Sequence, residues 1–149
     1  MQYFIKNNFL SFFVVLIAVT LNAQNYPSVN INTKDGLPNN QVESIFKDSR
    51  GILWVGTNNG LSKIENNNIT NFFEEDGLAH NSAWDIIEDI NNTIWIASYG
   101  GGVTKFNGKK FKVFNEQNGL ANRYVRKLFE HKNYVFVGTK NGLSFINTK

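Results

Sequence analysis

The chain has 149 residues, and its 15 lysines and arginines stand against 12 aspartates and glutamates, which gives a formal net charge of +3. A charge this small and scattered does not favour a nucleic-acid partner. The sequence contains no cysteine, which excludes disulfides and lipid attachment through an N-terminal cysteine. Hydrophobic residues make up 42% and aromatic residues 14% of the chain, so its length and composition predict one folded domain or part of one.

The N-terminus has the layout of a secretory signal. Residues 1–8 carry one charge, Lys6, and residues 9–21 are apolar apart from Ser11 and Thr20. This apolar run is too short to span a bilayer comfortably, and Ala23 supplies the small residue that a signal peptidase prefers. We therefore expect residues 1–23 to be a signal peptide, and the mature protein to be periplasmic or secreted with no membrane span. The alternative is a retained membrane anchor.

Three copies of one unit follow this segment. Gly-Leu pairs lie at positions 36–37, 77–78 and 119–120, and an aromatic residue lies at positions 54, 95 and 136. A repeat of about 41 residues is typical of repeat architectures. The period divides the chain into a lead-in segment, two full copies and an incomplete third copy, at residues 24–34, 35–75, 76–117 and 118–149.

Each full copy contains the pattern of four short strands. In the first copy these are predicted at Val42–Lys47, 52–57, 61–65 and 69–74, and the first strands of the later copies at Ala83–Glu88 and 125–130. The second strand is apolar on both faces, as expected of a strand buried on both sides. Asn58-Asn59-Gly60 is a strong hairpin signal, because asparagine and glycine tolerate the positive φ of tight turns. No helix is predicted after the signal peptide.

The two ends of the chain complement each other. Residues 26–33 precede Asp35-Gly-Leu as residues 71–74 precede Asp76-Gly-Leu, so they are predicted to be a fourth strand supplied from the N-terminus. The third copy stops after its third strand, at residues 143–146. Four strands per copy at this period predict an all-β fold, a partial β-propeller of three four-stranded antiparallel blades.

The sequence resembles a known repeat family in two segments, GLPNNQVESIFKDSRGILWVGTNNGLSKI and GLANRYVRKLFEHKNYVFVGTKNGLSFI. Both are similar to the two-component regulator propeller repeat. In that family such repeats form the periplasmic sensor of hybrid histidine kinases, so the resemblance implies a ligand-sensing role. The copies depart from the pattern at Ala97-Ser98, at the extra glycine in 100–102 and at Phe136. No kinase, receiver or other output domain is visible in the chain.

Positions that are alike in all copies are interpreted as scaffold. The recurring glycines at 36, 77 and 119 are expected to give the backbone the conformation of a turn. The leucines that follow them are expected to pack in the core. Trp54 and Trp95 lie in the second strand and are predicted to be buried structural residues. Asp35 and Asp76 are replaced by Asn118 in the third copy, which fits a capped turn better than acid–base chemistry.

Positions that differ between the copies cluster on the predicted upper rim. They lie in the loops from a fourth to a first strand, in the loops between second and third strands (58–59, 99 and 140–141), and at the one equivalent position 43, 84 and 126. Amides, an acid, arginines and aromatic rings converging there suit a polyhydroxylated ligand such as an oligosaccharide; solvated loops are the alternative interpretation. The candidate ligand-binding residues are Asn40, Glu43, His80, Asn81, Trp84, Tyr99, Arg123 and Arg126.

No catalytic or metal-binding group is predicted. His80 and His131 fall at unrelated positions of the repeat, no serine has an identifiable base, and residues 48–51 have too few oxygen ligands for a calcium loop. We therefore predict no enzyme activity, no cofactor and no metal. The alternatives to a ligand-sensing module are a self-assembling protein-interaction scaffold and a non-functional truncated fragment. A third alternative is an exported propeller enzyme that acts on polysaccharides, such as a polysaccharide lyase.

Ring closure is the remaining question. A three-bladed arc would leave two terminal apolar faces bare, with residues such as Ile45, Ile52, Val55 and Val135, and monomers rarely expose large apolar patches. We therefore expect either a two-fold dimer of six blades, with residues 26–33 of one chain beside residues 143–146 of the other, or an aggregation-prone piece of a longer propeller.

Overall fold

The computed structural model describes residues 27–149, which form eleven β-strands and two short 3₁₀ helices. The predicted signal peptide lies outside these residues. Strands β1 and β5 have the predicted bounds, and the other strands predicted within the three copies differ by one or two residues at one or both ends. In chain order the strands are β1 (Val42–Lys47), β2 (Leu53–Thr57), β3 (Gly60–Glu65), β4 (Asn68–Phe72), β5 (Ala83–Glu88), β6 (Ile94–Ser98), β7 (Gly102–Phe106), β8 (Phe111–Phe114), β9 (Val125–His131), β10 (Tyr134–Thr139) and β11 (Gly142–Asn147).

The strands form three antiparallel sheets, each made from consecutive strands. Blade 1 has the order β1-β2-β3-β4, blade 2 the order β5-β6-β7-β8, and blade 3 the order β11-β10-β9. The first strands of the three blades lie side by side. The fold is therefore the predicted all-β partial propeller, with three strands in the last blade. Within residues 27–149 no helix is long and apolar enough to cross a membrane.

The prediction that no helix follows the signal peptide is wrong at two places. Glu74–Asp76 and Glu116–Asn118 are 3₁₀ helices that follow β4 and β8, so the fourth strand of blade 1 ends at Phe72 and not at Glu74. The last side chain of each helix accepts the amide that opens the turn: Phe73 N donates to Asp76 Oδ2 at 2.9 Å, and Asn115 N donates to Asn118 Oδ1 at 3.2 Å. The capped turns predicted at these positions are confirmed.

The lead-in segment does not form the strand predicted for it. The described part, residues 27–33, is not paired as a strand, although the turn that begins at Thr33 is formed. A strand persists only when its amide and carbonyl groups find a ladder partner. The three strands of blade 3 leave β11 at an edge, with no fourth strand beside it among the described residues.

A buried aspartate organises the turn between the first two strands of blades 1 and 2. Asp48 Oδ1 accepts the amides of Arg50 and Ile52, and its Oδ2 accepts Trp54 Nε1 at 3.1 Å. Burial raises the pKa of Asp48, but hydrogen bonds from Trp54, Arg50 and Ile52 outweigh it and hold the pKa below its usual range. In blade 2, Asp89 accepts Trp95 Nε1 at 2.8 Å in the same way. In both blades the aspartate side chain therefore holds the hairpin turn between the first and second strands.

The core lies between neighbouring blades. Trp54 and Trp95 are fully buried, as predicted. Trp54 packs edge-on against Phe106 of blade 2, with ring centroids 5.9 Å apart, and belongs to the apolar cluster shared by blades 1 and 2. Trp95 belongs to a second cluster, shared by blades 2 and 3, which contains Leu128. Each tryptophan therefore joins its own blade to the next one.

The terminal faces are bare, but only one of the four residues named from the sequence is exposed. Ile45 is exposed, whereas Ile52, Val55 and Val135 are buried. Val135 points to the side of blade 3 that packs on blade 2, and Ile52 belongs to the cluster shared with blade 2. Val55 lies in a strand flanked on both sides by its own sheet. The exposed apolar residues of blade 3 are Phe129, Tyr134, Leu143 and Phe145.

Candidate functional site

A β-bulge occurs at the same place in the first strand of every blade. The pairing of β1 with β2 passes over Glu43, that of β5 with β6 passes over Trp84, and that of β9 with β10 passes over Arg126. A bulge adds an unpaired residue and redirects its side chain, and bulges are frequent beside functional sites. Position 43, 84 or 126 was selected from the sequence because its residue differs between the copies. In the structure the same position lies outside the regular pairing of the two strands.

Two of these bulge residues meet the loop between the second and third strands of blade 2. The ring of Trp84 stacks on Tyr99, with centroids 4.4 Å apart and planes 13° from parallel. The guanidinium carbon of Arg126 lies 6.0 Å from the centroid of Tyr99. Tyr124 extends the group, with its ring centroid 5.0 Å from Tyr99, and Lys140 Nζ lies 5.6 Å from the centroid of Tyr124. We call these five residues the rim cluster.

The orientation of Trp84 is fixed by hydrogen bonds beneath it. Its Nε1 donates to Ser82 Oγ at 2.8 Å, and Ser82 Oγ donates to Asn58 Oδ1 of blade 1 at 3.3 Å. The amide of Ser82 donates to His80 Nδ1 at 3.1 Å. His80 therefore acts on Trp84 through Ser82, and its imidazole is half-buried below the rim.

The extra glycine of the second copy lets the Tyr99 loop sit close to the chain that enters blade 2. A Cβ added at Gly101 would lie 1.9 Å from the carbonyl oxygen of Ala79, which leaves no room for a side chain. The amide of Gly102 donates to the carbonyl of Arg123 at 2.9 Å, and Tyr99 pairs with Tyr124 through an isolated β-bridge. The insertion thus places Tyr99 beside blade 3.

Three candidate residues brace the loops between blades. Asn40 Oδ1 accepts the amide of Thr33 at 2.9 Å, and Asn81 Oδ1 accepts the amide of Glu74 at 2.8 Å. Asn81 also donates its amide to Glu74 Oε1 at 3.1 Å, and this second bond has its equivalent in the third copy, where Arg123 donates its amide to Glu116 Oε1 at 2.7 Å.

The Glu116 carboxylate is shaped by these donors. A hydrogen bond from its own backbone amide, together with those from Arg123, holds the pKa of Glu116 below its usual range. Its Oε1 also accepts Arg123 Nε at 3.3 Å. The Arg123 guanidinium is therefore directed toward the loop and not toward the rim cluster.

The eight candidates thus divide into three groups. The structure brings Trp84, Tyr99 and Arg126 together and sets His80 beneath them. Glu43 accepts Gln41 Nε2 at 2.7 Å and lies on blade 1. Asn40, Asn81 and Arg123 brace loops.

Tyr124 was missed by the sequence comparison. It occupies the position of Gln41 and Ser82 in the other copies, so its variation between copies is the signal that could have found it. Among residues 27–149, no three His, Asp or Glu side chains are grouped so that they could hold a metal ion.

Comparison with known proteins identifies the repeats. The three-sheet geometry is that of successive propeller blades. The family model described as two component regulator propeller matches residues 36–59 and 77–100. The first two copies therefore carry two-component regulator propeller repeats, as the sequence predicted.

Solved structures of extracellular propeller domains match most of the chain. One, from a protein of B. thetaiotaomicron described as a hybrid two component system, shares 25% identity over 87% of this chain with a TM-score of 0.68. A second from the same organism shares 25% identity over 75% of this chain with a TM-score of 0.62. PorZ, a surface component of the type-IX secretion system of Porphyromonas gingivalis, shares the fold at 18% identity, over 71% of this chain, with a TM-score of 0.57.

The chain is much shorter than these structures. It spans 18%, 15% and 17% of the three matched chains, in the order given. No curated protein matches it.

Proposed function

We propose that this chain is an exported ligand-binding propeller module with a sensor role, and that its ligand is an oligosaccharide held at the rim cluster. Export is supported by the signal-like N-terminus and by the matched domains, which are extracellular parts of two-component systems. The sensor role is supported by the repeat family. We include no enzymatic activity in the proposal, because the repeat family that supports it is that of two-component regulators.

The observation that carries the proposal is the stacked pair of Trp84 and Tyr99 with Arg126 beside it. Both rings are half-buried and Arg126 is exposed, so the group combines an apolar surface with a free donor. Sugar rings present an apolar face that packs on aromatic rings, and their hydroxyls accept from guanidinium groups. The hydrogen bonds from Trp84 to Ser82 and on to Asn58 fix the ring in advance, which lowers the entropy lost on binding.

The test begins with the protein purified after export and a printed array of oligosaccharides, followed by calorimetric titration of any glycan that binds. Trp84→Ala and Arg126→Ala should each weaken binding by about tenfold or more, since each removes a central contact worth on the order of 1–2 kcal/mol. Lys109→Ala is the matched control, because it removes an exposed cation from the distant hairpin between β7 and β8.

The outcomes separate clearly. Loss of binding in the rim variants with an unchanged Lys109→Ala protein supports the proposal. A well-folded Trp84→Ala/Arg126→Ala double variant that binds like the wild type places the site elsewhere. Absence of any glycan binding to the wild-type protein contradicts the choice of ligand.

A further inference from the structure

The bulge position of the rim changes its chemistry from blade to blade. The residue there is Glu43 in blade 1, Trp84 in blade 2 and Arg126 in blade 3. The equivalent side chain is therefore an acid, then an aromatic ring, then a guanidinium. Within the rim cluster, this places the aromatic surface on blade 2 and a positive charge on blade 3.

The loop between the second and third strands adds a second cation to blade 3. The residue after the second strand is Asn58 in blade 1, Tyr99 in blade 2 and Lys140 in blade 3. In every blade its amide donates to the carbonyl of the residue that precedes the first strand, and in blade 3 Lys140 N lies 2.9 Å from the carbonyl oxygen of Tyr124. The backbone hydrogen bond is therefore the same in all three blades, and the side chain is what differs.

Both cations lie beside tyrosine rings that touch each other. Arg126 is 6.0 Å from the centroid of Tyr99, Lys140 Nζ is 5.6 Å from the centroid of Tyr124, and the two ring centroids are 5.0 Å apart. The face of an aromatic ring attracts a cation without neutralising its charge. Because Arg126 and Lys140 are both exposed, the pair of rings presents two positive charges on one accessible surface.

The carboxylates in the elements that lead to the rim cluster already have cationic partners. Asp85, which follows the bulge residue of blade 2, accepts Lys127 Nζ at 3.1 Å, and Glu116 accepts Arg123 Nε at 3.3 Å. Among residues 27–149, neither Arg126 nor Lys140 forms an ion pair. The two cations are therefore left to an anionic group of the ligand.

We propose that the oligosaccharide held at the rim cluster is acidic, and that its carboxylate or sulfate group binds between Arg126 and Lys140 while a sugar ring packs on Trp84. This inference rests on the proposed function, because it concerns the ligand of the same site. A guanidinium offers two parallel donors to the oxygens of such a group, and an ammonium adds a further charged donor. The ligand thus lies across blades 2 and 3, with its acidic group over blade 3.

The first test uses one array that carries neutral oligosaccharides, uronates without sulfate and sulfated glycans without uronate, probed with the purified full chain. We expect binding to be confined to the acidic glycans, and the two acidic arms identify the anionic group. Binding should weaken when the salt is raised from about 0.1 M to about 1 M, because this shortens the range of exposed charges from about 10 Å to about 3 Å.

The second test is calorimetric titration of a bound acidic glycan and of the same glycan with its charge removed, by reduction of the uronate or by desulfation. The wild-type protein should bind the neutral form about tenfold more weakly or more, since it loses hydrogen bonds to charged groups. Arg126→Gln and Lys140→Met should each weaken the acidic form by about tenfold or more and leave the neutral form nearly unchanged.

Two further variants separate charge recognition from other effects. Trp84→Ala should weaken the acidic and neutral forms by the same factor, because the ring packs on the sugar and not on the acidic group. Lys109→Ala, which removes a cation from the hairpin between β7 and β8, should change neither affinity.

The outcomes distinguish this inference from the proposed function. Binding of neutral glycans, alone or as tightly as acidic ones, would overturn the inference and leave the proposed function in place. Absence of binding to any glycan would contradict the proposed function and the inference with it. An acidic glycan that is weakened as much by Lys109→Ala as by Lys140→Met would show that overall charge selects the ligand, and would overturn the assignment to Arg126 and Lys140.

Discussion

The three tryptophans of this chain have two different environments. Trp54 and Trp95 lie in central strands, fully buried, with Nε1 satisfied by a buried aspartate. Trp84 is the extra residue of a bulge, is half-buried, and stacks on a loop tyrosine. The same residue type therefore serves the core at two positions and the rim at the third.

Truncation of Trp54 should destabilise the protein. Trp54→Ala would remove a ring that joins blades 1 and 2. It would also leave Asp48 Oδ2 without the hydrogen bond that Trp54 Nε1 donates to it. We expect a loss of about 3–5 kcal/mol in the free energy of unfolding, as for other large core deletions. Urea denaturation gives the value. An unchanged midpoint, together with lost ligand binding, would show that the residue is part of the site and not of the core.

The Asp48 carboxylate should make stability depend on pH. Because its pKa is lowered in the folded state, it stabilises the fold above its ordinary pKa of 3.8, and this contribution is lost as the pH falls through the folded-state pKa. Asp48→Asn should therefore lower stability at pH 7 by about 1–3 kcal/mol and flatten its decline in acid.

The control for this variant is Asp35→Asn. Asn118 occupies the equivalent position in the third copy and accepts the same kind of turn amide, so Asp35→Asn should leave stability at pH 7 nearly unchanged. Denaturation curves at pH 7 and pH 3 check both variants. A decline in acid that is as steep in Asp48→Asn as in the wild type would contradict the assigned role.

At the scale of elements, the strands could be predicted because the blade repeats. The bounds of β1 and β5 followed from the alternation within two copies that share one period. The end of β4 could not be predicted in this way. Residues 74–76 are polar enough for a strand edge or a turn, and the choice depends on which amide the side chain of Asp76 accepts.

The third copy illustrates how two changes in sequence depend on each other. Phe136 replaces the tryptophan of the other copies, and the preceding turn is shorter and has no counterpart of Asp48. Because phenylalanine has no N–H to satisfy, the buried acceptor is not needed there. The sequence showed both departures, but the hydrogen bond that connects them was visible only in the folded chain.

The candidate site was predictable in part. Comparing equivalent positions found Trp84, Tyr99 and Arg126, because a site that differs between blades stands out against a repeating scaffold. The same comparison also selected Asn40 and Asn81, which brace loops. Sequence alone could not separate the two groups, because the stack of Trp84 on Tyr99 depends on the bulge and on the close approach at Gly101.

At the scale of the whole molecule, the blades have one apolar cluster between each pair of neighbours and two bare ends. Among the described residues, no blade precedes Ile45 and none follows Leu143, so both side chains are exposed. The equivalent residues of the other blades are buried. The chain thus carries both halves of one interface. Sequence predicted that the ends would be bare but misplaced Val135, because the side to which a central-strand residue points depends on register.

The most direct test of the account is iodide quenching of tryptophan fluorescence, with and without a glycan that the array identifies. The chain has three tryptophans. We expect iodide to reach Trp84 but neither Trp54 nor Trp95, Trp84→Phe to remove the accessible fraction of the fluorescence, and the bound glycan to protect Trp84. Saturating glycan that leaves the quenching of Trp84 unchanged would contradict the rim cluster as the binding site.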